Sequence, residues 1–537
     1  MVGEPGMRAR FLFGNREISN PTVGAVPVDG PHREGEEPKP MMHGLEKSDP
    51  AIVAMKPANK AEQSAAERVE PRAGTEGNAD RARTRRTQSR TSVSPGLERV
   101  RQVARARKKE RFTALLHHIT VDLLRDAFLA LERRAAPGVD GVTWQDYEAD
   151  LEGNLQALHR RVHRGSYRAM PVRRRLIPKP DGQQRALGVT ALEDKIVQRA
   201  VVTVLNEIYE EDFLGFSYGF RPGRGQHDAF DALCVGIEMV RVNWILDADI
   251  RSFFDRIDQQ WLIQFLEHRI GDERILRLIR RWLKAGVLDD GGWSVAEAGT
   301  PQGAVIFPLL ANVYLHYVFD LWAAQWRRRE ARGKVIFVRY ADDLIVGFEH
   351  EADARRFWSA MRERLEHFGL ELHGEKTRLL EFGRYAAERR ERRGHGRPET
   401  FWFLGFTFIC GRTRDGGFQL QRRSRSDRMR AKLAQIKTAL RRHMHAPVSE
   451  QGRWLARVLR GWFAYHAVPT NLRSLQTFRY RVAAAWRRVL SRRSQKSRIN
   501  WARMTQIAEQ WLPHPRILHL WPERRFAVNY PRWEPNA

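Results

Sequence analysis

The sequence predicts an α+β fold followed by a basic, mainly helical module. Short runs of β-branched and aromatic residues alternate with segments whose apolar residues recur at helical spacing, which indicates helices packed on a sheet. From about residue 421 only the helical spacing continues, and basic residues fill the faces outside the apolar stripes. The chain carries 93 Lys and Arg against 64 Asp and Glu, and the net charge of +29 indicates a polyanionic partner, with nucleic acid the leading candidate.

The N-terminal region differs in composition from the rest. Residues 1–92 contain Gly, Pro, Glu, Arg and Ser without apolar periodicity, so we expect a disordered basic tail. Ordered structure should begin near Gly96, with helical spacing through Leu124 and Phe128. Residues 136–143 then predict a turn and a helix start.

Residues 173–189 predict a β-hairpin, because a Pro-Asp-Gly turn joins two strand-like runs. Lys179 and Arg185 would lie near its tip. Two cations there suit an incoming triphosphate, although a solvent-exposed basic hairpin is the alternative. The apolar stripe from Ile196 to Ile208 that follows predicts a core helix.

Carboxylates stand at the ends of two strand-like runs. Residues 334–348 predict strand, tight turn and strand with Asp342 and Asp343 at the tip, and an earlier short strand carries Asp247 and Asp249. Adjacent acids repel, so magnesium is the expected compensation, unless Asp-Asp is only a turn signal. If the strands pair, three carboxylates suit a two-metal centre for phosphoryl transfer to a primer hydroxyl. Side-chain alternation does not choose between Asp247 and Asp249.

The remaining segments predict a scaffold. Residues 299–312 form a glycine-containing loop that enters an apolar helix, so the backbone can approach a ligand closely. The last third predicts three basic helices, and the proline-rich ending from Pro513 is expected to be extended and partly irregular. Cys234 and Cys410 belong to no zinc or disulfide pattern. With no long apolar run and no secretory signal, we expect a cytoplasmic protein without a membrane segment.

The box Tyr340-Ala341-Asp342-Asp343 resembles the YxDD motif of reverse transcriptases, and residues 94–525 as a whole are similar to bacterial group II intron-encoded reverse transcriptase/maturases. The motifs that carry the resemblance are residues 137–143, Ile177-Pro178-Lys179-Pro180, residues 217–223, Asp249-Ile250-Arg251, residues 300–312, Glu375-Lys376-Thr377 and Phe403-Leu404-Gly405-Phe406.

The resemblance implies a right-hand polymerase fold. Fingers and palm, with an N-terminal extension, would occupy residues 93–420, and an α-helical thumb/X domain would occupy residues 421–495. Residues 496–537 would be a basic C-terminal DNA-binding-like segment, with no endonuclease domain.

The resemblance also assigns the catalytic and metal-binding residues. Asp249, Asp342 and Asp343 would be catalytic and, with the carbonyl of Ile250, would bind two Mg²⁺ ions, for which Mn²⁺ is a possible substitute.

Further site residues follow from the same resemblance. The dNTP-binding residues would be Lys179, Arg185, Phe254, Gln302, Gly303 and Lys376. Among these, Phe254 would be the gate against a ribose 2′-hydroxyl and Lys376 a proton donor to pyrophosphate. The RNA-binding residues would be Arg430, Lys437, Arg441, Arg487, Arg488, Arg492 and Arg493.

The function implied is that of an RNA-directed DNA polymerase acting on an RNA template with a DNA primer and dNTPs, in a bacterial cytoplasm in association with the nucleoid. It would also bind its group II intron RNA, assist splicing and support mobility by target-primed reverse transcription at a target DNA. One alternative is a splicing-only maturase, because Ala304 and Phe307 replace a glycine and a serine usual in the family. Another is a retron-like or defence-associated reverse transcriptase.

Overall fold

The N-terminal helices begin close to where the sequence predicts. The computed structural model describes residues 94–178, 184–289, 292–294, 299, 303–493 and 498–529, and the tail predicted for residues 1–92 lies outside this part. The side chains of Ser94, Thr120 and Thr143 each accept a backbone N–H and so cap a helix. The helices are α1 (Pro95–Ala106), α2 (Val121–Leu129), α3 (Trp144–Glu148) and α4 (Leu151–His163), with a short 3₁₀ turn at Leu116–His118.

Helices and strands alternate through the central part, as predicted. In chain order the elements are β1 (Val172–Pro178), β2 (Gln184–Val189), α5 (Leu192–Asp212), α6 (Gln226–Met239), β3 (Trp244–Asp249), α7 (Phe253–Arg256), α8 (Gln259–Glu267), α9 (Glu273–Lys284), β4 (Val287–Asp289), β5 (Gly292–Ser294), α10 (Phe307–Leu315), α11 (Leu321–Arg329), β6 (Val335–Tyr340), β7 (Asp343–Phe348), α12 (Glu351–His367) and β8 (Arg378–Glu381).

Two four-stranded sheets organise these elements. β1 and β2 form the predicted basic hairpin, with Ile177 opposite Arg185, in a sheet of order β2-β1-β4-β5. The second sheet has the order β6-β7-β3-β8, and all its neighbouring strands are antiparallel. β6 and β7 are the predicted acid hairpin, and β3 pairs directly with β7. The two acid-bearing segments therefore meet at one end of this sheet.

A fully buried arginine lies beneath the turn of the acid hairpin. Arg339 donates to both carboxylate oxygens of Asp320, at 2.7 and 2.6 Å, and to the side-chain oxygen of Asn312 at 2.9 Å. Asp320 ends the π-helical turn His316–Asp320 that joins α10 to α11. Arg339 also donates to the carbonyl of Ala341 at 3.1 Å, which fixes a residue whose φ is +58°. The helix pair thus holds the turn that carries Asp342 and Asp343.

The glycine-rich loop between α5 and α6 packs against the same turn. Asn312 donates its side-chain N–H to the carbonyl of Gly219 at 2.7 Å. A Cβ at position 219 would overlap the backbone nitrogen of Ala341, so only glycine allows the loop to approach this closely.

Another sheet and six helices complete the described part. The elements are α13 (Arg384–Arg392), β9 (Phe401–Phe403), β10 (Phe406–Arg412), β11 (Phe418–Ser424), α14 (Ser426–Arg442), α15 (Val448–His466), α16 (Leu472–Leu490), α17 (Trp501–Trp511) and α18 (Pro522–Asn529). The sheet has the order β11-β10-β9 and shares a hydrophobic core with α6 and β3. The three predicted basic helices are α14, α15 and α16, and with α17 they enclose a separate core that contains Leu433, Phe478 and Trp486.

Two expectations for the C-terminal third need correction. β11 continues to Ser424, so the helices begin at Ser426 rather than at residue 421. The proline-rich ending has no regular helix or strand from Pro513 to Trp521, as expected, but it then forms a helix, α18. Pro522 is the first residue of α18, where a helix needs no backbone N–H and proline is well tolerated.

The end of the described chain is fixed onto α6. Arg525 on α18 pairs with Asp231 at 2.7 Å and with Asp228 at 3.4 Å. The ring of His519 stacks on that of His227, with 4.0 Å between ring centres. Burial raises the pKa of Asp231 to about 7, and the nearby Arg525 opposes that rise.

In the part of the chain that the structure describes, no helix is long and apolar enough to cross a membrane.

We predict that Arg339→Met lowers the free energy of unfolding by about 3–5 kcal/mol, because it leaves the Asp320 carboxylate buried without its counter-charge. Arg355→Met is the matched control. Arg355 makes a 2.6 Å ion pair with Glu351, but the two side chains are 66% and 41% exposed, so the loss should be about 0–1 kcal/mol. Urea titration followed by circular dichroism measures both values. Equal losses would show that the buried pair does not anchor the fold.

Candidate active site

Asp249 and Asp343 face each other across paired strands. Asp249 is the last residue of β3, Asp343 is the first residue of β7, and the two are register partners. Directly opposite residues of an antiparallel pair project to the same face, with Cβ atoms about 4.5–5.5 Å apart. Asp342 precedes Asp343 in the turn and is half-buried, while Asp343 is exposed. The structure therefore brings the predicted carboxylates to one end of the sheet.

The backbone of Asp249 is fixed by the segment that leads into β8. His373 donates its backbone N–H to the carbonyl of Asp249 at 2.8 Å, and the hydroxyl of Thr377 accepts the N–H of Asp249 at 3.4 Å. Ile250, the predicted carbonyl ligand, forms an isolated bridge with Leu372 and is buried. This segment thus holds β3 at its carboxylate end.

Lys376 contacts one of the predicted catalytic acids. Its Nζ lies 3.2 Å from Oδ2 of Asp249, and its side chain is 64% exposed. The cation offsets part of the repulsion between the facing carboxylates. At this distance the Lys376 ammonium group can also contact a ligand that is bound at Asp249.

Asp247 has a different environment from Asp249. It is opposite Ile345 and Arg378, and its carboxylate lies 3.6 Å from the Arg378 guanidinium. Burial raises the pKa of Asp247 to about 6, and Arg378 opposes that rise. The register separates the two candidates that the sequence left open, because only Asp249 is paired with Asp343.

The chemistry of the facing acids suits a hard divalent cation. Carboxylate oxygens are the ligands that Mg²⁺ prefers, and like charges placed directly opposite one another on a sheet are destabilising without a counter-charge. Within the described ranges, no three His, Cys, Asp or Glu side chains are grouped closely enough to hold a metal ion. The structure thus provides a facing pair, Asp249 and Asp343, rather than a complete ligand set.

The loop that carries the predicted dNTP-binding residue Gly303 is fixed to the neighbouring elements. Gly303 has a φ of +119°, and a Cβ there would overlap the carbonyl of Gly188 in β2, so glycine is required. The side-chain oxygen of Gln198 on α5 accepts the N–H of Val305 at 2.9 Å. Ala304 and Phe307, the departures from the family pattern, are 3% and 2% exposed. Their side chains pack into the interior.

Some of the predicted nucleotide contacts lie partly or wholly outside the described part. Lys179 and Gln302 fall outside it, and of Arg185 only the backbone in β2 is described. Phe254 lies on α7, half-buried, with its ring edge-to-face against Phe253 at 5.2 Å between centres. Ser252, just before α7, has a φ of +47°, which turns the chain sharply after β3.

The predicted RNA-binding residues divide into two groups. Arg430, Lys437, Arg441, Arg488 and Arg492 are exposed, and the first three are spaced to share one face of α14. The other two make internal contacts: the Arg487 guanidinium donates to the carbonyl of Ile499, and that of Arg493 to the carbonyl of Ala446.

Sequence reasoning missed the residues that support the acids. Arg339, Asp320 and Thr377 were not among the predicted site residues, although an arginine inside an otherwise apolar strand is a signal of a buried partner. The partner of Arg339 could not be identified from the sequence, because Asp320 lies beside it only in the folded chain. The same is true of Thr377, which contacts the backbone of Asp249 only in the folded chain.

A known protein family matches the region of the chain that contains β3 and the acid hairpin. Residues 177–408 match the family described as Reverse transcriptase (RNA-dependent DNA polymerase). The chain is 35% identical over 270 residues to protein YkfC of Escherichia coli strain K12, across 44% of this chain and 70% of YkfC. It is 33% identical over 222 residues to the group II intron-encoded protein LtrA of Lactococcus lactis subsp. cremoris, across 41% of this chain and 37% of LtrA.

A plant relative extends the set. Nuclear intron maturase 3, mitochondrial, of Arabidopsis thaliana is 30% identical over 175 residues, across 29% of this chain and 24% of that protein. The matches thus span most of YkfC but well under half of the two intron-associated proteins. The family match includes β3 and both strands of the acid hairpin. The chain belongs to the reverse transcriptase family, the RNA-directed DNA polymerases.

Proposed function

We propose that this RNA-directed DNA polymerase also binds a group II intron RNA, assists its splicing and supports mobility by target-primed reverse transcription on a target DNA. The observation that carries the polymerase site is the pairing of Asp249 with Asp343 inside the family match. The intron role is supported by relatives named as intron-encoded and maturase proteins and by the exposed basic face of α14.

In this proposal Asp249, Asp342 and Asp343, with the carbonyl of Ile250, hold two Mg²⁺ ions, and Mn²⁺ can replace them. When bound, the ions stabilise charge on the attacking and leaving oxygens. Lys376 stands beside Asp249 and donates a proton to the departing pyrophosphate.

In the same proposal, residues of the β1–β2 hairpin and of the loop before α10 bind the nucleotide. Lys179 and Arg185 neutralise its triphosphate, and Gln302 and Gly303 support the base pair with the template. Phe254 restricts the space beside the sugar and so excludes a 2′-hydroxyl.

In the described part of the nucleotide-proximal loop, no contact favours a splicing-only role. Its basis in the sequence was the bulk of Ala304 and Phe307, and both side chains are buried. The backbone around them is held by Gln198 and by the tight approach at Gly303. The loop thus accommodates the larger residues in the protein interior.

We predict that Asp249→Asn, Asp342→Asn and Asp343→Asn each reduce primer extension on an RNA template by at least about a hundredfold, because each removes several kcal/mol of charge stabilisation from the transition state. Asp247→Asn is the matched control on the same strand, and it should retain most of the activity because its partner is Arg378. Equal losses for Asp247→Asn and Asp249→Asn would contradict the assignment by register.

Metal removal gives an independent check of the same site. Extension by the wild-type protein should stop when the divalent ions are chelated and return when Mg²⁺ or Mn²⁺ is added. Extension that continued at full rate in excess chelator would rule out the proposed metal centre.

For the RNA-binding role, we predict that the triple variant Arg430→Gln, Lys437→Gln, Arg441→Gln weakens binding to precursor RNA. It should also lower the salt slope by up to about three, one for each phosphate that is no longer neutralised. The matched control is Arg125→Gln, Arg280→Gln, Arg355→Gln, which removes the same charge from residues already paired with carboxylates. Filter binding across a salt series measures both slopes.

The two triple variants also test splicing. The wild type and the control should accelerate lariat formation by the precursor RNA at moderate magnesium, and the α14 variant should do so less. If the wild type gave no acceleration, the splicing role would be refuted while the polymerase role stood.

A further inference from the structure

Two exposed aromatic rings form a stack between α16 and α17. Tyr480 and Trp501 lie 5.4 Å apart between ring centres with only 10° between their planes. Tyr480 is 60% exposed and Trp501 is 40% exposed, whereas Met504 and Ala508 of α17 are buried in the helical core. The stack thus leaves a large flat apolar surface in contact with solvent.

The stack is held in place by a cation. The Arg487 guanidinium lies 4.6 Å from the centre of the Trp501 ring and donates to the carbonyl of Ile499 at 3.2 Å. An arginine fixed by a backbone carbonyl holds the indole in one orientation, since the cation is attracted to the ring face. The aromatic surface is therefore already ordered before any ligand binds.

A polar cavity of about 310 Å³ adjoins the stack. Gln476, Arg479, Thr505, Glu509 and His514 line it together with Tyr480 and Trp501. Both Arg479, at 3.0 Å, and His514 contact the Glu509 carboxylate, so donors and acceptors are fixed around one wall. The volume is at the lower end of the range of about 300–1,000 Å³ for small-ligand sites, which suits a single planar ring system.

The charge on the two helices and their connection favours a nucleic acid. Arg488 on α16, Arg498 in the connection and Arg503 on α17 are all exposed. Flat rings stack on a nucleobase of any sequence, and exposed arginines on the same elements attract phosphates. A paired base has both faces and its hydrogen-bonding edge occupied, so only an unpaired base can use both the stack and the cavity.

We propose that the Tyr480–Trp501 stack and the adjoining cavity, here called the α16–α17 pocket, bind one unpaired nucleobase of a single-stranded nucleic acid. This rests on the proposed function in that it assumes a nucleic-acid partner, and it assigns a base-binding role to residues outside the polymerase site and outside the basic face of α14. The base packs on the exposed side of the Tyr480–Trp501 stack, and the polar wall contacts the edge of the base.

The probe is an RNA stem-loop with one 2-aminopurine in its unpaired loop, compared with the same strand annealed to its full complement. Stacking in the pocket should quench the fluorescence of the loop base. The double variant Tyr480→Leu, Trp501→Leu should lose this quenching and bind the stem-loop about tenfold more weakly, while its affinity for the duplex changes by less than about twofold. The salt slope should stay the same, because every cation that can neutralise a phosphate is retained.

Two further variants control for folding and for general loss of an aromatic residue. Trp501→Phe keeps a stacking ring and should retain most of the quenching. Trp521→Leu removes a tryptophan of similar exposure, 41%, that does not line the cavity, and it should bind both probes like the wild type. Circular dichroism spectra and urea-unfolding midpoints like those of the wild type should show that all variants fold.

A single-stranded DNA of the same sequence distinguishes the two sources of an unpaired base. Quenching with RNA alone assigns the pocket to RNA, and equal quenching with DNA assigns it to single strands of either kind. If the double variant quenched the probe and bound it as the wild type does, or lost affinity equally for loop and duplex, the pocket assignment would fail while the proposed function stood. A wild type that bound no RNA would overturn both.

Discussion

The ion pair between Arg339 and Asp320 is the interaction on which the acid-bearing turn depends. Both side chains are completely buried, and the pair is satisfied by two short hydrogen bonds and by Asn312. A buried charge is tolerated only with such a partner, since an unpaired one costs several kcal/mol. The arrangement also holds the Ala341 carbonyl, so a backbone conformation uncommon for alanine persists where Asp342 and Asp343 must be presented.

Around this anchor, the acids obtain their geometry from strand pairing. β7 is shared by β6 and β3, so the turn and the end of β3 are positioned by the same set of backbone hydrogen bonds. The segment before β8 fixes the other side of Asp249 through His373 and Thr377. Mutual repulsion of carboxylates is built into such a site, and Lys376 and bound divalent ions are the groups that offset it in the proposed function.

The basic residues of the chain include some that make internal contacts and others that are exposed to solvent. Arg525 fixes the C-terminal helix to α6, while Arg487 and Arg493 make contacts within the helical module. Other cations, including Arg430, Lys437 and Arg441, face solvent on one side of α14. Composition alone predicts a polyanionic partner. Only the tertiary structure shows which cations are available to it.

The sequence by itself determined the alternation of strands and helices, the acid hairpin and the basic helical module, because these depend on local periodicity and turn residues. The tertiary structure decided which aspartate on β3 faces Asp343, since register is a property of two strands that are nearly a hundred residues apart. It also brought Asp320 to Arg339 and Tyr480 to Trp501, because the partner in a contact between distant segments cannot be identified from either segment alone. The sequence reasoning did not predict α18, because proline is excluded from a helix interior but not from its first turn.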